Sequence, residues 1–536
     1  MEHIDNFRHF GTMIDCSRNA VMTVDTIKRW TDITSSLGYN SLFLYMEDTY
    51  EVDDNIYFGH GRGKYTKAQL REIDAYAVAK GVEVIPCIQT LAHLNEVVDI
   101  PVYKDMVDCD DILLIGDERV YTLIDNMFKS LSESLSARHI NIGMDEAHMV
   151  GRGKYYDIHG DADHTKLIVE HLARIAELAK KYGYTLSMWS DMFFRLATNG
   201  NYYDANITVP DKIKALIPDN VELVYWDYYS HDKDRYKGML RAHEKIKKGT
   251  WFAGGFWTWS GFAPHNAFSI KATKTALTEC KKAGVKDVFF TLWGDDTAEC
   301  SKFSVLPCIF FASEYAKGNR NMKDIKAKFK KQFGISFDAF LLTDLNSHAR
   351  LVNPHKYLLY NDLFTGKMDA RIKEDAGREF LSLSRKLARY TRNESWGYLF
   401  KTLSSLCKVC ALKADLSFRI RPAYLANDKQ ELALILKDCK LLLRRMKEFY
   451  TAFETQWMYE NKPQGFDVQD IRVGGMIVRT EHCIKRLEDF ISGKLERIEE
   501  LHEPVLEYFG NGEDPIREDT TLNSFKKIFT NNTLTW

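Results

Sequence analysis

Residues 66–88, TKAQLREIDAYAVAKGVEVIPCI, contain one full change of period, and reading it decides the fold. Apolar residues recur at helical spacing through residue 80, Gly81 interrupts them, and a strand-length, largely apolar run follows. Glycine suits the left-handed residue that closes a helix. An apolar run without regular polar alternation is what a strand buried on both faces requires. The same hinge recurs at Leu37-Gly38-Tyr39 and Tyr182-Gly183-Tyr184. Working outward, strands are predicted near 9–15, 41–46, 82–88, 139–143, 184–189, 221–226, 250–256 and 286–292. Helical patterns lie between them at 22–37, 66–80, 119–136, 165–182, 234–248 and 268–283. Eight alternations predict an α/β fold, a parallel (β/α)8 TIM barrel. A doubly wound sheet, the competing architecture, would more naturally show about five or six strands.

The pattern changes near residue 320. Of 31 glycines, 21 precede that point, as do seven of the ten tryptophans. Beyond it, stretches at 322–332, 369–390, 396–413, 428–454 and 472–501 carry apolar residues at three- and four-residue spacing, the mark of helices with one buried face. The expected organisation is a catalytic barrel over 1–318 followed by an all-α C-terminal domain over 319–536. That domain would pack on the barrel or on a second subunit, so a homodimer is a candidate assembly. Polar, turn-rich residues from 502 onward read as a tail or strap.

Composition narrows the function. Of 536 residues, 45% are hydrophobic, which rules out wholesale disorder. Lys and Arg number 73 against 75 Asp and Glu, so there is no electrostatic footprint for nucleic acid or an anionic membrane. No run of 18 apolar residues predicts a membrane span, and the N-terminus shows no secretory signal. The ten cysteines lack framework spacing and read as reduced thiols of a cytoplasmic protein. Neither HxH nor HExxH occurs, and neither a P-loop nor a strand–GxGxxG–helix unit, so no metal and no nucleotide cofactor is expected. Aromatic residues reach 13%, which fits a protein that stacks flat apolar rings against a ligand.

In a barrel the reactive residues follow the C-terminal ends of the strands. Those ends read Asp15-Cys16-Ser17-Arg18, Glu47-Asp48, Gln89 through His93, Asp145-Glu146-Ala147-His148, Trp189-Ser190-Asp191, Tyr225-Trp226-Asp227-Tyr228, Trp257-Thr258-Trp259 and Trp293-Gly294-Asp295-Asp296. One charged strand end is ordinary, because such residues are usually solvated. Eight in series converge acids and indoles on one mouth, which is the chemistry of a sugar site: rings stack on the C–H face of a pyranose while carboxylates and Arg hold its hydroxyls.

Asp145 and Glu146 form the candidate catalytic pair. Glycosidases ordinarily use two carboxylates on opposite sides of the sugar, about 5–5.5 Å apart in retaining enzymes and 6.5–9.5 Å in inverting ones. Adjacent residues on one strand end cannot easily reach opposite faces of one anomeric carbon. The pair points instead to one carboxyl that protonates the leaving oxygen and another that steers a nucleophile carried by the substrate, such as a 2-acetamido carbonyl. A DE dipeptide alone is weak evidence; the preceding glycine and the position on the fourth strand give it weight.

Asn141-Ile142-Gly143-Met144-Asp145-Glu146-Ala147 resembles the catalytic signature of the family 20 glycoside hydrolases, the β-N-acetylhexosaminidases. Asp15-Cys16-Ser17-Arg18 is similar to the family's first-strand motif, and the resemblance implies that Arg18 grips the O3 and O4 hydroxyls. His93 stands where the family places a histidine beside the acid. Tyr225-x-Asp227 resembles its Tyr-x-Asp pair, which implies that Tyr225 binds the acetamido carbonyl and Asp227 the O4/O6 side. Trp293-x-Asp295 resembles a Trp-x-Glu motif with Asp in place of Glu, so the reach to O4 is shorter or water-filled. Trp189 and Trp257 fall where pocket and aglycone tryptophans are expected, with Trp259 an alternative to Trp257. The resemblance covers residues 8–300. It implies an exo-acting, retaining β-N-acetylhexosaminidase that removes terminal β-linked GlcNAc or GalNAc from an oligosaccharide or glycan through an oxazolinium intermediate. Glu146, its pKa raised by burial and by Asp145, would be acid and then base.

The chain departs from the family pattern in starting its first strand within about ten residues, where many members carry a preceding α+β domain, and in lacking a Trp between 146 and 189. Many relatives are secreted; this sequence suggests an intracellular enzyme. Single residues carry plainer readings too: His93 as a satisfied barrel histidine, Asp48 as its orienting partner or an irrelevant loop acid, His148 as structural and Asp191 as a helix cap. Tyr228 could replace Tyr225. Another barrel glycosidase with a carboxylate nucleophile such as Asp227 or Asp295, or a catalytically silent carbohydrate-binding protein, are the competing functions.

Overall fold

Thr66 opens the helix Lys67–Ala79 with a reciprocal cap: its side chain accepts from the backbone N–H of Gln69, and Gln69 returns the bond to the backbone of Thr66. Gly81, at φ +72°, then turns the chain into a strand. The computed structural model describes residues 4, 6–197, 200–206, 209–345, 354–507 and 525–534.

The barrel strands are β1 (His9–Asp15), β2 (Ser41–Tyr45), β3 (Glu83–Cys87), β4 (His139–Asn141), β5 (Thr185–Trp189), β6 (Val221–Trp226), β7 (Trp251–Gly255) and β8 (Asp287–Leu292). They close into a parallel barrel in sequence order, with β8 returning to β1 through pairs such as His9 with Asp287 and Gly11 with Phe289. All eight expected strands are present. The fourth ends at Asn141, two residues short of the predicted 143, and Gly143 (φ +71°) and Met144 (φ +67°) leave the extended region one residue beyond it. A two-stranded antiparallel ribbon, Val107–Cys109 with Ile112–Leu113, was not foreseen.

Side chains alternate between the barrel lumen and the surrounding helices. In the lumen Phe43 stacks on Phe289 with centroids 4.2 Å apart, and Trp251 and Trp189 meet the same Phe289 at 6.4 and 5.9 Å. The N-terminal end is closed by a charged plug. His9 stacks on Trp251 at 4.9 Å, pairs with Asp287 at 2.8 Å and lies 3.4 Å from Glu83. Glu222 accepts from the Trp251 indole at 2.6 Å. Chemistry belongs at the opposite, C-terminal end.

The chain divides into two compact units: Met1–Phe256 with Phe268–Trp293 and Cys308–Arg320, and Trp257–Ala267 with Gly294–Pro307 and Asn321–Trp536. The break thus falls at 320–321 rather than 318–319, and the segments that follow β7 and β8 in sequence group with the second unit. That unit is helical, with Met322–Phe333, Ala376–Ala388, Gly397–Leu425, Lys429–Glu460 and Phe466–Ile491 as its longer helices. Gly397–Leu425 runs a dozen residues beyond its expected end at 413. Leu416, Ile420, Ala423 and Tyr424 keep a buried stripe at helical spacing, and Pro422 falls in the final turn, where it no longer ends the helix early. Phe466–Ile491 starts earlier and stops ten residues sooner than the 472–501 pattern, because Gly493 (φ +78°) turns the chain out. Cys407 and Cys410 show a C-x-x-C spacing, but both thiols are buried in one helix and unbonded to each other. Of the tail from 502 onward, residues 508–524, 535 and 536 lie outside the described residues.

In the second unit Lys356 is fully buried, with Nζ 3.0 Å from Asp296 and 2.8 Å from Glu299. Arg472 reaches the other oxygen of Asp296 at 2.8 Å, and Gln469 donates to Thr297 at 2.8 Å. These residues hold the segment that follows β8 in the chain. Among the described residues, no helix is long and apolar enough to cross a membrane.

Candidate active site

Three of the five residues after β4 take left-handed backbone: Gly143, Met144 and Glu146, the last at φ +55°. For a non-glycine residue this conformation is costly, so neighbouring contacts must impose it. Gly143 is obligatory twice over, because a Cβ there would stand 2.0 Å from Gln89 Oε1. Gln89, beyond the end of β3, packs into that gap. It donates to Asp145 Oδ1 at 2.8 Å and to the Tyr45 hydroxyl at 3.0 Å, and accepts from the Met144 backbone at 3.1 Å.

His93 faces both carboxylates. Its Nε2 lies 3.3 Å from Asp145 Oδ2, without hydrogen-bond geometry, and 3.7 Å from Glu146 Oε2. Burial presses the imidazole toward neutrality, but the facing Asp145 charge outweighs it and lifts His93 to about 10. Burial likewise pushes Asp145 up, yet His93 and Gln89 together hold its carboxyl below the ordinary range. His93 also takes a left-handed backbone, its N–H donating to Asp111 at 2.9 Å. Asp48 serves elsewhere, paired with Arg62 at 2.8 Å.

Glu146 departs from the expected burial: its side chain is 41% exposed, against 13% for Asp145. Its backbone N–H donates to Asp191 at 3.1 Å, and Arg195 reaches its Oε1 at 3.4 Å. Asp191 is the first residue of the helix Asp191–Ala197 and acts on the β4 loop as well as opening its own helix.

The aromatic wall comes from β2, β5, β6 and β8. Trp293 meets Tyr45 edge-on at 4.7 Å, Trp189 at 5.9 Å and Tyr228 at 6.4 Å, and hydrogen-bonds Tyr228. Tyr228 stacks on Trp226 at 5.3 Å and feels the charge of Asp145. Arg18 is held by Glu47 and Ser17, its guanidinium 5.8 Å from the Tyr45 ring.

Tyr225 is a correction. Strand alternation turns it to the helix side, where it is buried against His243 at 4.8 Å and Phe252 at 5.5 Å. Its hydroxyl donates to Asp227 at 3.0 Å. Asp227 is corrected with it: a fully buried carboxylate, paired with Arg235 Nε at 2.7 Å and Nη2 at 3.1 Å, has no face left for a sugar hydroxyl. The inner positions of that strand end are Trp226 and Tyr228, a shift of one residue that changes the face. Trp257 and Asp295 fall in the second unit. Trp257 is buried and stacks on Trp259 at 4.8 Å, while Asp295 is exposed, one residue before the clamped Asp296. The first unit thus assembles Arg18, His93, Asp145, Glu146, Trp189 and Trp293. Sequence reading placed Glu47 and Gln89 at strand ends without giving either a role, and it missed Tyr45 and Arg195.

Two family models match the chain. One, described as the catalytic domain of glycosyl hydrolase family 20, covers residues 50–239, and the other, the glycoside hydrolase 20C C-terminal domain, covers 336–519. Hexosaminidase D of Bos taurus is 24% identical over 251 residues, 45% of this chain and 68% of that protein. Hexosaminidase D of Homo sapiens is 26% identical over 242 residues, 41% of this chain and 46% of its own. Among solved structures, the β-N-acetylhexosaminidase of Bacteroides fragilis aligns at 16% identity with a TM-score of 0.46, covering 61% of this chain and 70% of that one.

Proposed function

Because the chain belongs to glycoside hydrolase family 20, with two family models spanning more than two thirds of it, we propose that the β4 loop is where it hydrolyses terminal β-linked N-acetylhexosaminides. One observation supports substrate assistance above others. Asp145 and Glu146 both approach the same imidazole nitrogen of His93, so the two carboxylates stand on one side of the site. Two carboxylates so placed do not flank an anomeric carbon.

Glu146, the more exposed of the pair, donates its proton to the glycosidic oxygen. Asp145, kept ionised by His93 and Gln89, accepts from the acetamido N–H and stabilises the charge that develops there. The acetamido oxygen attacks C1, and Tyr228 rather than Tyr225 steadies it, since Tyr228 shares the wall with Trp293 and Asp145. Glu146, now a base, activates water, and the configuration is retained. Arg18 holds the far hydroxyls and Trp189 and Trp293 line the sugar. Asp227 is removed as a carboxylate nucleophile by its burial beneath Arg235. Ten free cysteines suit the cytoplasm, and a second copy of the chain is the partner proposed for the helical half.

A panel of nitrophenyl 2-acetamido- and 2-hydroxy-β-glycosides tests this. Activity confined to the acetamido members and lost in Glu146→Gln is expected. A covalent 2-fluoroglycosyl adduct on a carboxylate would overturn substrate assistance, and no turnover at all would leave a carbohydrate-binding protein.

A further inference from the structure

Asp191 and Arg195 sit one helical turn apart at the C-terminal end of β5, and both reach the β4 loop. The Asp191 side chain is fully buried. Its Oδ2 accepts the Glu146 backbone N–H at 3.1 Å and lies 3.2 Å from Arg195 Nε, while Oδ1 has no hydrogen-bond partner among the described residues. Arg195 Nη2 extends to Glu146 Oε1 at 3.4 Å, and Nη1 donates to the Gly200 carbonyl at 3.2 Å. The contacts close a ring: Asp191 to the Glu146 main chain, Glu146 carboxylate to Arg195, Arg195 back to Asp191. This ring grips a residue whose backbone is left-handed at φ +55°, a conformation that a glutamate keeps only under constraint.

We propose that Asp191 and Arg195 are the positioning pair of the proton donor, Asp191 fixing the main chain of Glu146 and Arg195 its carboxylate. The proposal rests on Glu146 being that donor. Neither residue needs to touch the sugar.

The charges predict how the pair acts. Asp191 is faced by Asp145 and Glu146 from the β4 loop, by Arg195 on its own helix and by Tyr202 beyond that helix; His93 and His148 lie around the same carboxylates. Burial first, then Asp145 and Glu146, lift Asp191 to about 7, with Arg195 opposing. An anionic Asp191 and a cationic Arg195 act on the charge of the Glu146 carboxylate with opposite sign. Substituting the two residues should therefore move the alkaline limb of kcat/KM in opposite directions, which a purely structural role would not.

The full-length enzyme is assayed across pH with a nitrophenyl 2-acetamido-β-glycoside and with a disaccharide whose leaving group is a poor one. Asp191→Asn is expected to move the alkaline limb down by about one pH unit, and Arg195→Met to move it up by a similar amount. Both should lower kcat on the disaccharide more than on the nitrophenyl substrate, because an activated leaving group needs less protonation. Arg195→Lys should recover part of the loss. Limbs that superimpose on wild type, or that move the same way, overturn the proposal while leaving the function standing. A wild type inactive on every acetamido substrate overturns the function, and this inference with it. Should Asp191→Asn fail to fold, the partly exposed Arg195 variant carries the test.

Discussion

Gln89 and Asp145 are joined by a hydrogen bond of 2.8 Å from the amide nitrogen to Oδ1, and the Gln89 oxygen takes the backbone N–H of Met144 at 3.1 Å. One side chain thereby fixes both the path of the β4 loop and the direction of a carboxylate. Substituting Gln89→Met keeps the bulk and removes both bonds. Since a misplacement on the order of 1 Å can cost about a hundredfold in rate, kcat should fall ten- to hundredfold. KM should change little, because the residue does not line the sugar. Steady-state kinetics with a melting curve separates this outcome from simple unfolding.

Tyr225 and Tyr228 differ by three positions and by the face they occupy, so their phenylalanine variants should separate. Tyr228→Phe removes a hydroxyl bonded to Trp293 on the site wall, and kcat should drop about tenfold or more if it holds the acetamido oxygen. Tyr225→Phe removes one bond to a carboxylate that Arg235 still holds by two. Activity should stay near wild type while stability falls by about 1 kcal/mol, in the range of one lost hydrogen bond. Equal kinetic losses in the two variants would contradict the assignment of faces.

That pair also shows what the sequence exposes and what it conceals. The barrel was legible because glycine hinges and doubly buried strands write a period change into the chain, and Gly143 was legible because two backbone constraints coincide on it. The face of a residue beyond a strand end was not, since Tyr225-x-Asp227 and Trp226-x-Tyr228 are equally good spacings until the strand's alternation is anchored by a contact such as Tyr225 with His243. The roles of Gln89, named only as a strand end, and of Arg195, not named at all, were hidden for another reason: they act through the catalytic carboxylates, and their partners are distant in sequence by 56 and 49 residues. The helical half was legible as periodicity, but its ends were not, because Pro422 lies in a last turn that the buried stripe sustains.

His9 predicts a pH-dependent stability at the closed end of the barrel. Burial disfavours its charge, but Asp287 and Glu83 outweigh burial and raise it to about 9. A group whose pKa rises on folding contributes fully below its unfolded value, near 6.5, and loses that contribution as pH climbs through its folded value. Wild type should therefore exceed His9→Gln by on the order of 2 kcal/mol at pH 6, and the gap should close by about pH 10. Urea unfolding of both proteins at several pH values checks it; a gap independent of pH would assign the loss to packing against Trp251 instead.

Lys356 makes the sharpest stability prediction in the helical unit. Its ammonium is fully buried between Asp296 and Glu299, with Arg472 completing the cluster on the far oxygen of Asp296. Lys356→Met leaves Asp296 to Arg472 and takes the near cation from Glu299, which burial already pushes up and Lys356 chiefly holds down, Arg472 standing 3.7 Å away. Removing one partner of a buried pair costs about 3–5 kcal/mol, whereas replacing the whole group by neutral residues is often near neutral. The single variant should thus unfold at distinctly lower urea, and adding Glu299→Gln to it should restore part of the loss rather than deepen it. Additive losses in the double variant would mean that the cluster is held by shape and not by charge.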